Sequence, residues 1–150
     1  MDDIVIYTDG GCSGNPGPGG WAFILEDSAG EAIGSGGEAM TTNNRMELRA
    51  VIEALKAAEG RQARKEGAPV TLFTDSQYVK NGISSWIKSW KRNGWRTSDK
   101  KPVKNKELWE ELDAVAARLK PEFLWVEGHA GVVNNERCDS LVQDEIRLFR

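Results

Sequence analysis

Two segments of this chain end alike. Ile4-Val-Ile-Tyr-Thr-Asp9 and Val70-Thr-Leu-Phe-Thr-Asp75 are runs of β-forming residues that close on Thr-Asp. Between them Leu48, Val51, Ile52 and Leu55 recur at i, i+3, i+4 and i+7, which predicts an amphipathic helix of about four turns. A strand, a helix and a strand in that order make a crossover unit with parallel strands. The C-terminal ends of the two strands then lie side by side, and each end carries a carboxylate. A buried charge at a strand mouth is costly unless something neutralises it. A divalent cation is one such partner, and the other carboxylates of the chain become candidates to join it.

The remaining pattern fits one α/β domain spanning 1–150. Trp21-Ala-Phe-Ile-Leu25 reads as a second strand and Glu31 to Ala39 as a weaker, glycine-rich one, with a turn at Asp27-Ser-Ala-Gly30. Short connections predict that the first three strands form an antiparallel meander. The run Gly10 to Gly20 between the first two strands is stiffened by Pro16 and Pro18 and is too long for a tight hairpin. Thr41-Thr-Asn-Asn44 is a helix start, and the helix ends near Gly60. Arg61 to Ala68 reads as a solvated loop. Ser76 to Gly82 is a short helix, continued by Ile83, Trp86, Ile87 and Trp90 as a core stripe and broken at Asn93-Gly94. Asn105 opens a helix with Leu108, Leu112, Val115 and Leu119 inward, which Pro121 ends. Phe123-Leu-Trp-Val126 is a fifth strand. Asn134 and Asn135 can cap a last helix with Cys138, Leu141, Val142 and Ile146 inward.

Charge narrows the function. The net charge is −3, which alone argues against a nucleic-acid partner. Its distribution argues the other way. From Lys88 to Lys106 the cations are Lys88, Lys91, Arg92, Arg96, Lys100, Lys101, Lys104 and Lys106, with Asp99 as the only acid. A basic segment on an acidic protein is a directed electrostatic footprint. The acidic start Met1-Asp2-Asp3 is unlike a secretory leader, no apolar run approaches a membrane helix, and Cys12 and Cys138 lie in no paired spacing. These features predict a cytoplasmic chain with reduced cysteines and no membrane partner, with no sign of an obligate oligomer.

Four carboxylates compose the candidate metal site. Asp9 and Asp75 sit at neighbouring strand ends, Glu47 in the first turn of the first long helix, and Asp139 early in the last helix. Open α/β sheets place their sites at the carboxyl ends of strands. Clustered carboxylates either take up protons or bind cations, and ligands of oxygen alone favour Mg²⁺ or Mn²⁺ over zinc. Each residue also has a plainer reading. Asp9 can open a turn, Asp75 can be a helix N-cap, Glu47 can close a capping box with Asn44, and Asp139 can be a solvated helix residue.

The chain resembles bacterial type 1 ribonuclease H. The resemblance is carried by Tyr7-Thr-Asp-Gly10, Gly14-Asn-Pro-Gly-Pro-Gly-Gly20, Thr41-Thr-Asn-Asn-Arg-Met-Glu-Leu48, Thr74-Asp-Ser-Gln-Tyr78, Lys100-Lys-Pro-Val-Lys-Asn105, Trp125-Val-Glu-Gly-His-Ala-Gly131 and Asn135-Glu-Arg-Cys-Asp139. The matches run in order from the first strand to the last helix. The resemblance implies a ribonuclease H-like fold, a mixed five-stranded sheet flanked by helices. It implies a monomeric endonuclease that cuts the RNA strand of RNA–DNA hybrids. The implied metal ligands are Asp9, Glu47, Asp75 and Asp139, holding two Mg²⁺ ions, with Mn²⁺ as a substitute and Asp9 as the bridging ligand. One ion would activate water and the other stabilise the leaving 3′-oxygen, giving 5′-phosphate and 3′-hydroxyl products. His129, the chain's only histidine, is implied in proton transfer and product release.

Substrate choice rests on the 2′-hydroxyl, which separates RNA from DNA. The resemblance assigns its reading to Gly10, Cys12, Asn43, Glu47 and Gln77. It assigns a DNA-strand phosphate to Asn15 and Thr42, and a grip on the DNA strand to the basic segment. In that segment Lys91, Arg92, Trp95, Lys100 and Lys101 are the contact candidates, whereas Trp86 and Trp90 fit the family's groove wall by resemblance but by their spacing with Ile83 and Ile87 are assigned mainly to core packing. The chain departs from the family pattern at Gly11, in the longer Arg61–Pro69 connection, and at Val132-Val133 after the histidine loop. None of these touches the four carboxylates.

Overall fold

A computed structural model describes residues 3–97, 99–126 and 133–149. Five strands form one sheet in the order β3-β2-β1-β4-β5: β1 Ile4–Cys12, β2 Gly17–Asp27, β3 Gly30–Thr41, β4 Val70–Thr74 and β5 Glu122–Trp125. The first three strands are antiparallel neighbours, while β4 lies parallel to both β1 and β5. The predicted mixed sheet is therefore the observed one. The helices are α1 Asn43–Glu59, α2 Gln62–Lys65, α3 Gln77–Asn81, α4 Ile87–Arg92, α5 Lys106–Leu119 and α6 Val133–Arg147. A π-helical turn, Gly82–Trp86, joins α3 to α4.

Strand alternation splits the core in two. Ile4 and Ile6 of β1 and Phe23 and Leu25 of β2 face one side, where Leu48, Val51, Ile52 and Leu55 of α1 meet Leu108, Trp109 and Leu112 of α5. Ala22 and Ile24 face the other side and pack on Cys138, Val142 and Ile146 of α6. The sheet is thus covered on both faces.

Several local expectations are corrected. The glycine run is mostly strand: Gly10 and Gly11 belong to β1 and Gly17 to Gly20 to β2, which leaves a four-residue connection. Ladder pairing along Gly10↔Trp21, Gly11↔Gly20 and Cys12↔Gly19 overrides the low strand propensity of glycine. The stretch expected as a solvated loop from Arg61 contains the short helix α2. Asn134 and Asn135 lie inside α6. The stripe of Ile83, Trp86, Ile87 and Trp90 is broken, because the π-helical turn shifts the helix phase. Ile87 is buried and Trp90 half-buried, but Trp86 is 37% exposed. Gly82 at that turn stands against the Trp109 ring, where a Cβ would come within 2.0 Å of the ring edge.

The longer Arg61 connection has its own anchor. Arg61 Nε and Nη2 donate to Asp27 Oδ2 and Oδ1 at 2.7 and 2.8 Å, and the Ala29 amide donates to Oδ1 at 2.9 Å, closing the β2–β3 turn. The Arg61 guanidinium holds the Asp27 carboxyl below the usual aspartate range. A lowered native pKa gives stability that is present above the unfolded value and lost as pH falls through the folded one. Arg61→Ala removes the charge partner that covers Asp27, whose side chain is 1% exposed while the pair is intact. The expected loss is about 2 kcal/mol at neutral pH. The gap between variant and parent in urea melts should close as pH falls below about 4. A constant gap down to low pH would refute the assignment.

Candidate metal centre and nucleic-acid face

The sequence delivers three carboxylates to one point. Asp9 lies in β1, opposite Ala22, and is 4% exposed. Asp75 directly follows β4, so parallel pairing of β1 and β4 brings the two strand ends together. Glu47 arrives from α1. Carboxylate oxygens of Asp9, Glu47 and Asp75 lie within 4.8 Å of one another. Burial, then the charges of Asp9 and Asp75, push the Glu47 carboxyl well above the usual glutamate range. Its Oε2 is buried without a hydrogen-bond partner among the described residues, and the Gly10 amide donates to the carboxylate. A covered, unsatisfied oxygen between two like charges fits an all-oxygen cation site.

The plainer readings of Asp75, Glu47 and Asp9 fail locally. Ser76, not Asp75, caps α3: its side chain accepts the Val79 amide at 3.1 Å. Thr42, not Asn44, caps α1, with Oγ1 accepting the Arg45 amide at 3.2 Å, so Glu47 closes no capping box and stands two residues further in than expected. Asp9 is a paired strand residue. Asp139 is half-buried on α6 and stands outside the three-carboxylate group. Its neighbour Cys138 sits on β1, with Sγ donating to the Tyr7 carbonyl at 3.5 Å. Burial, and after it the Asp9 charge, push the Cys138 thiol up to about 12. Cys138 is therefore a buried apolar filler, and both cysteines are free. His129 lies outside the described residues.

Close approach of β1 to α1 sets the position of Glu47. A Cβ at Gly10 would lie 2.4 Å from the Met46 carbonyl carbon and 2.5 Å from the Glu47 nitrogen. Further along, β4 pairs with β1 only from Ile4 to Tyr7. Past Tyr7 the β4-facing edge of β1 has no strand beside it among the described residues. Gly10 and Cys12 lie on this stretch. The Cys12 thiol turns inward, with Sγ 3.3 Å from both the Gly17 and the Thr41 carbonyl oxygens as alternative acceptors for its one proton, so its backbone is the part left to the surface.

The other candidate contacts form two groups. Asn15, exposed, accepts the Asn43 amide through Oδ1 at 3.1 Å, so Asn15, Thr42 and Asn43 gather at the N-terminus of α1. The partial positive charge of a helix N-terminus favours anions there. Gln77 is the exposed first residue of α3, beside Asp75. The basic group is less uniform than its sequence. Lys91 Nζ pairs with Asp113 of α5 at 3.2 Å, and Lys101 approaches Asp99 at 3.9 Å. Trp95 is half-buried against Trp90, with ring centroids 6.2 Å apart. Arg92 and Lys100 are exposed and carry no ion pair among the described residues. The sequence offered no sign that Arg45, Tyr78 and Asn105 are joined by hydrogen bonds, because pairs so distant in sequence leave no periodic trace.

Comparison with known proteins agrees with this geometry. A model of the RNase H family matches residues 1–147. A ribonuclease H of Rhodopseudomonas palustris (strain BisB5) is 55% identical over 150 residues, covering 100% of this chain and 96% of the relative. A ribonuclease H of Cereibacter sphaeroides (strain ATCC 17025) is 52% identical over 155 residues, covering 100% and 99%. Among solved structures, LC9-RNase H1, a type 1 RNase H with the type 2 active-site motif, superposes with TM-score 0.84 at 32% identity, covering 100% of this chain and 74% of that one. LC11-RNase H1 in complex with an RNA/DNA hybrid superposes with TM-score 0.72 at 25% identity, covering 97% and 98%. A family match along nearly the whole chain, relatives more than half identical over nearly their full lengths, and the same mixed sheet leave one conclusion: the chain belongs to the RNase H family of enzymes.

Proposed function

We propose that this protein is a monomeric cytoplasmic endoribonuclease, a single domain over 1–150, that hydrolyses the RNA strand of RNA–DNA hybrids to 5′-phosphate and 3′-hydroxyl ends. The observation that carries the reading is the convergence of Asp9, Glu47 and Asp75 within 4.8 Å at the sheet end, with a buried Glu47 oxygen left unpartnered. These residues, with Asp139 from α6, would hold a pair of Mg²⁺ ions, which Mn²⁺ can replace. Bound cations of this kind supply an activated water and charge neutralisation at the leaving oxygen. Asp9, the one strand residue of the group and the one buried as a whole residue, is the candidate shared ligand. His129 is assigned proton transfer near neutral pH.

The chain's own groups select and orient the substrate. Backbone at Gly10 and Cys12, with Asn43, Glu47 and Gln77, faces the strand to be cut and reads its 2′-hydroxyls. Asn15 and Thr42, at the α1 N-terminus, seat a DNA-strand phosphate. Lys91, Arg92, Trp95, Lys100 and Lys101 grip the DNA strand. The solved hybrid complex of a family relative supports this class of substrate. No helix among the described residues is long and apolar enough to cross a membrane.

The direct test is a substrate panel in Mg²⁺. The expected result is cleavage of the RNA strand of a hybrid, with duplex DNA and duplex RNA of the same sequence left intact. Cutting of duplex DNA as fast as hybrid would favour a different nuclease of this fold and sink the proposal.

A second measurement addresses the grip. Log affinity for the hybrid should fall linearly with log salt, and each phosphate contact removed should reduce the slope by about 0.9. Because Lys91 and Lys101 are already near Asp113 and Asp99, Arg92→Gln and Lys100→Gln should flatten the slope more than Lys91→Gln and Lys101→Gln. Equal effects at all four positions would mean that Asp113 and Asp99 do not compete with the phosphates, and no effect at any of them would place the grip elsewhere.

A further inference from the structure

The basic segment is a shaped arm. The Trp95 amide donates to the Trp90 carbonyl at 2.6 Å, and the Val103 amide donates to the Trp95 carbonyl at 3.2 Å, closing the base over the buried Val103. Nearer the tip, the Thr97 amide donates to the Lys101 carbonyl at 2.8 Å, and Thr97 Oγ1 accepts the Lys101 amide at 3.2 Å. Non-glycine residues with left-handed backbone mark its start, middle and end: Trp95 at φ 61°, Lys100 at φ 65° and Asn105 at φ 60°. Such conformations persist only where the surroundings impose them.

Asn105 shows what imposes the last one. It precedes α5 and is a preferred N-cap residue type, yet its side chain makes no capping hydrogen bond. The amide is used elsewhere. Its Oδ1 accepts from Arg45 Nη1 at 3.1 Å, and its Nδ2 donates to the Tyr78 hydroxyl at 3.2 Å. The same Arg45 nitrogen pairs with Glu107 Oε1 at 2.6 Å. The Tyr78 hydroxyl also accepts from the Trp109 indole at 2.9 Å. Arg45 lies two residues before Glu47 on α1, and Tyr78 three residues after Asp75 on α3. One hydrogen-bonded junction thus joins the arm's end to both helices that flank the carboxylates.

We infer that Arg45, Asn105 and Tyr78 are positioning residues that hold the basic arm at a fixed offset from the carboxylate cluster, and so set which phosphate of the RNA strand is cut. The inference rests on the proposed hybrid cleavage. A grip on one strand and a cutting point on the other define a register only if the distance between them is held. An arm that drifts presents neighbouring phosphates instead. Small misplacements of this kind cost reaction rate far more than they cost binding.

Two variants cut the junction at different points. Asn105→Gly keeps the left-handed backbone and removes both side-chain bonds. Tyr78→Phe keeps the aromatic packing against Trp86 and Trp109 and removes the acceptor. The assay is an end-labelled RNA–DNA hybrid in Mg²⁺, read as a cleavage ladder. Both variants should still cut the hybrid. The share of product at the parent's main sites should fall about twofold or more, with new cuts at adjacent phosphates and a larger change in kcat than in KM. Lys100→Gln is the contrast: it should raise KM and leave the ladder in place. Ladders of Asn105→Gly and Tyr78→Phe identical to the parent's would overturn the inference. A parent protein that leaves the hybrid uncut would instead refute the proposed function.

Discussion

Asp75→Asn is expected to lose hybrid cleavage while keeping hybrid binding. The substitution keeps the shape of the side chain and removes one of three charges whose oxygens lie within 4.8 Å of one another. Altering a group that merely supports a metal ligand costs roughly 10–100-fold in activity. Loss of a ligand itself should exceed that, so the expected fall in kcat is more than about 100-fold in Mg²⁺. Binding should be equal or tighter, because one negative charge facing the phosphates has gone. The variant should also be no less stable than the parent in EDTA, since the Asp75 charge is among the causes that raise the Glu47 carboxyl. Gel-resolved cleavage and fluorescence anisotropy on the same labelled hybrid read both quantities. Parent-rate cleavage in Mg²⁺ would refute a role for this carboxylate in cation binding.

Gly10→Ala should damage the protein by a different route. The added methyl carbon meets backbone atoms of Met46 and Glu47 at 2.4 to 2.6 Å, and backbone cannot rotate away as a side chain can. Relief requires β1 and α1 to separate, against a core in which Ile4, Ile6, Leu48, Val51 and Leu55 are fully buried. Overpacking of ordinary cores costs 1–3 kcal/mol, and a backbone clash belongs at or above the upper end, about 3 kcal/mol. The same separation draws Glu47 from Asp9 and removes the Gly10 amide from its carboxylate. Urea melts should show the loss of stability. Cleavage should fall even at low temperature, where the variant is folded. A variant as stable and active as the parent would mean that the two elements are not held at this spacing. Gly11→Ala is the control, because its Cβ would meet only the Val142 side chain at an ordinary 3.4 Å.

Together these variants separate charge from spacing at one site. Asp75→Asn changes the field and keeps the frame. Gly10→Ala moves the frame and keeps every carboxylate.

Local chemistry in the sequence determined much of this protein. The repeated strand ending in Thr-Asp, with an amphipathic helix between, dictated a parallel pair of strands and brought Asp9 and Asp75 together. Period-2 and period-3.6 patterns of apolar residues gave the sheet and the buried stripes of α1, α5 and α6, because burial of apolar surface acts on each element through its own repeat. The oxygen donors that meet there, Asp9 and Asp75 with Glu47, were legible too, and a set without a histidine or thiolate cluster suits hard cations. Tertiary structure alone decided the rest. Glycines with little strand propensity became strand because their partners across the ladder required it. One π-helical turn rotated Trp86 to the surface and left Ile87 inside. Lys91 and Lys101, equal to Arg92 and Lys100 as charges in a sequence, acquired acidic neighbours from α5 and from the arm itself. Asn105 gave up its capping role for Arg45 and Tyr78, which lie 60 and 27 residues away. Contacts of that length are set by how packed elements meet, and no local repeat encodes them.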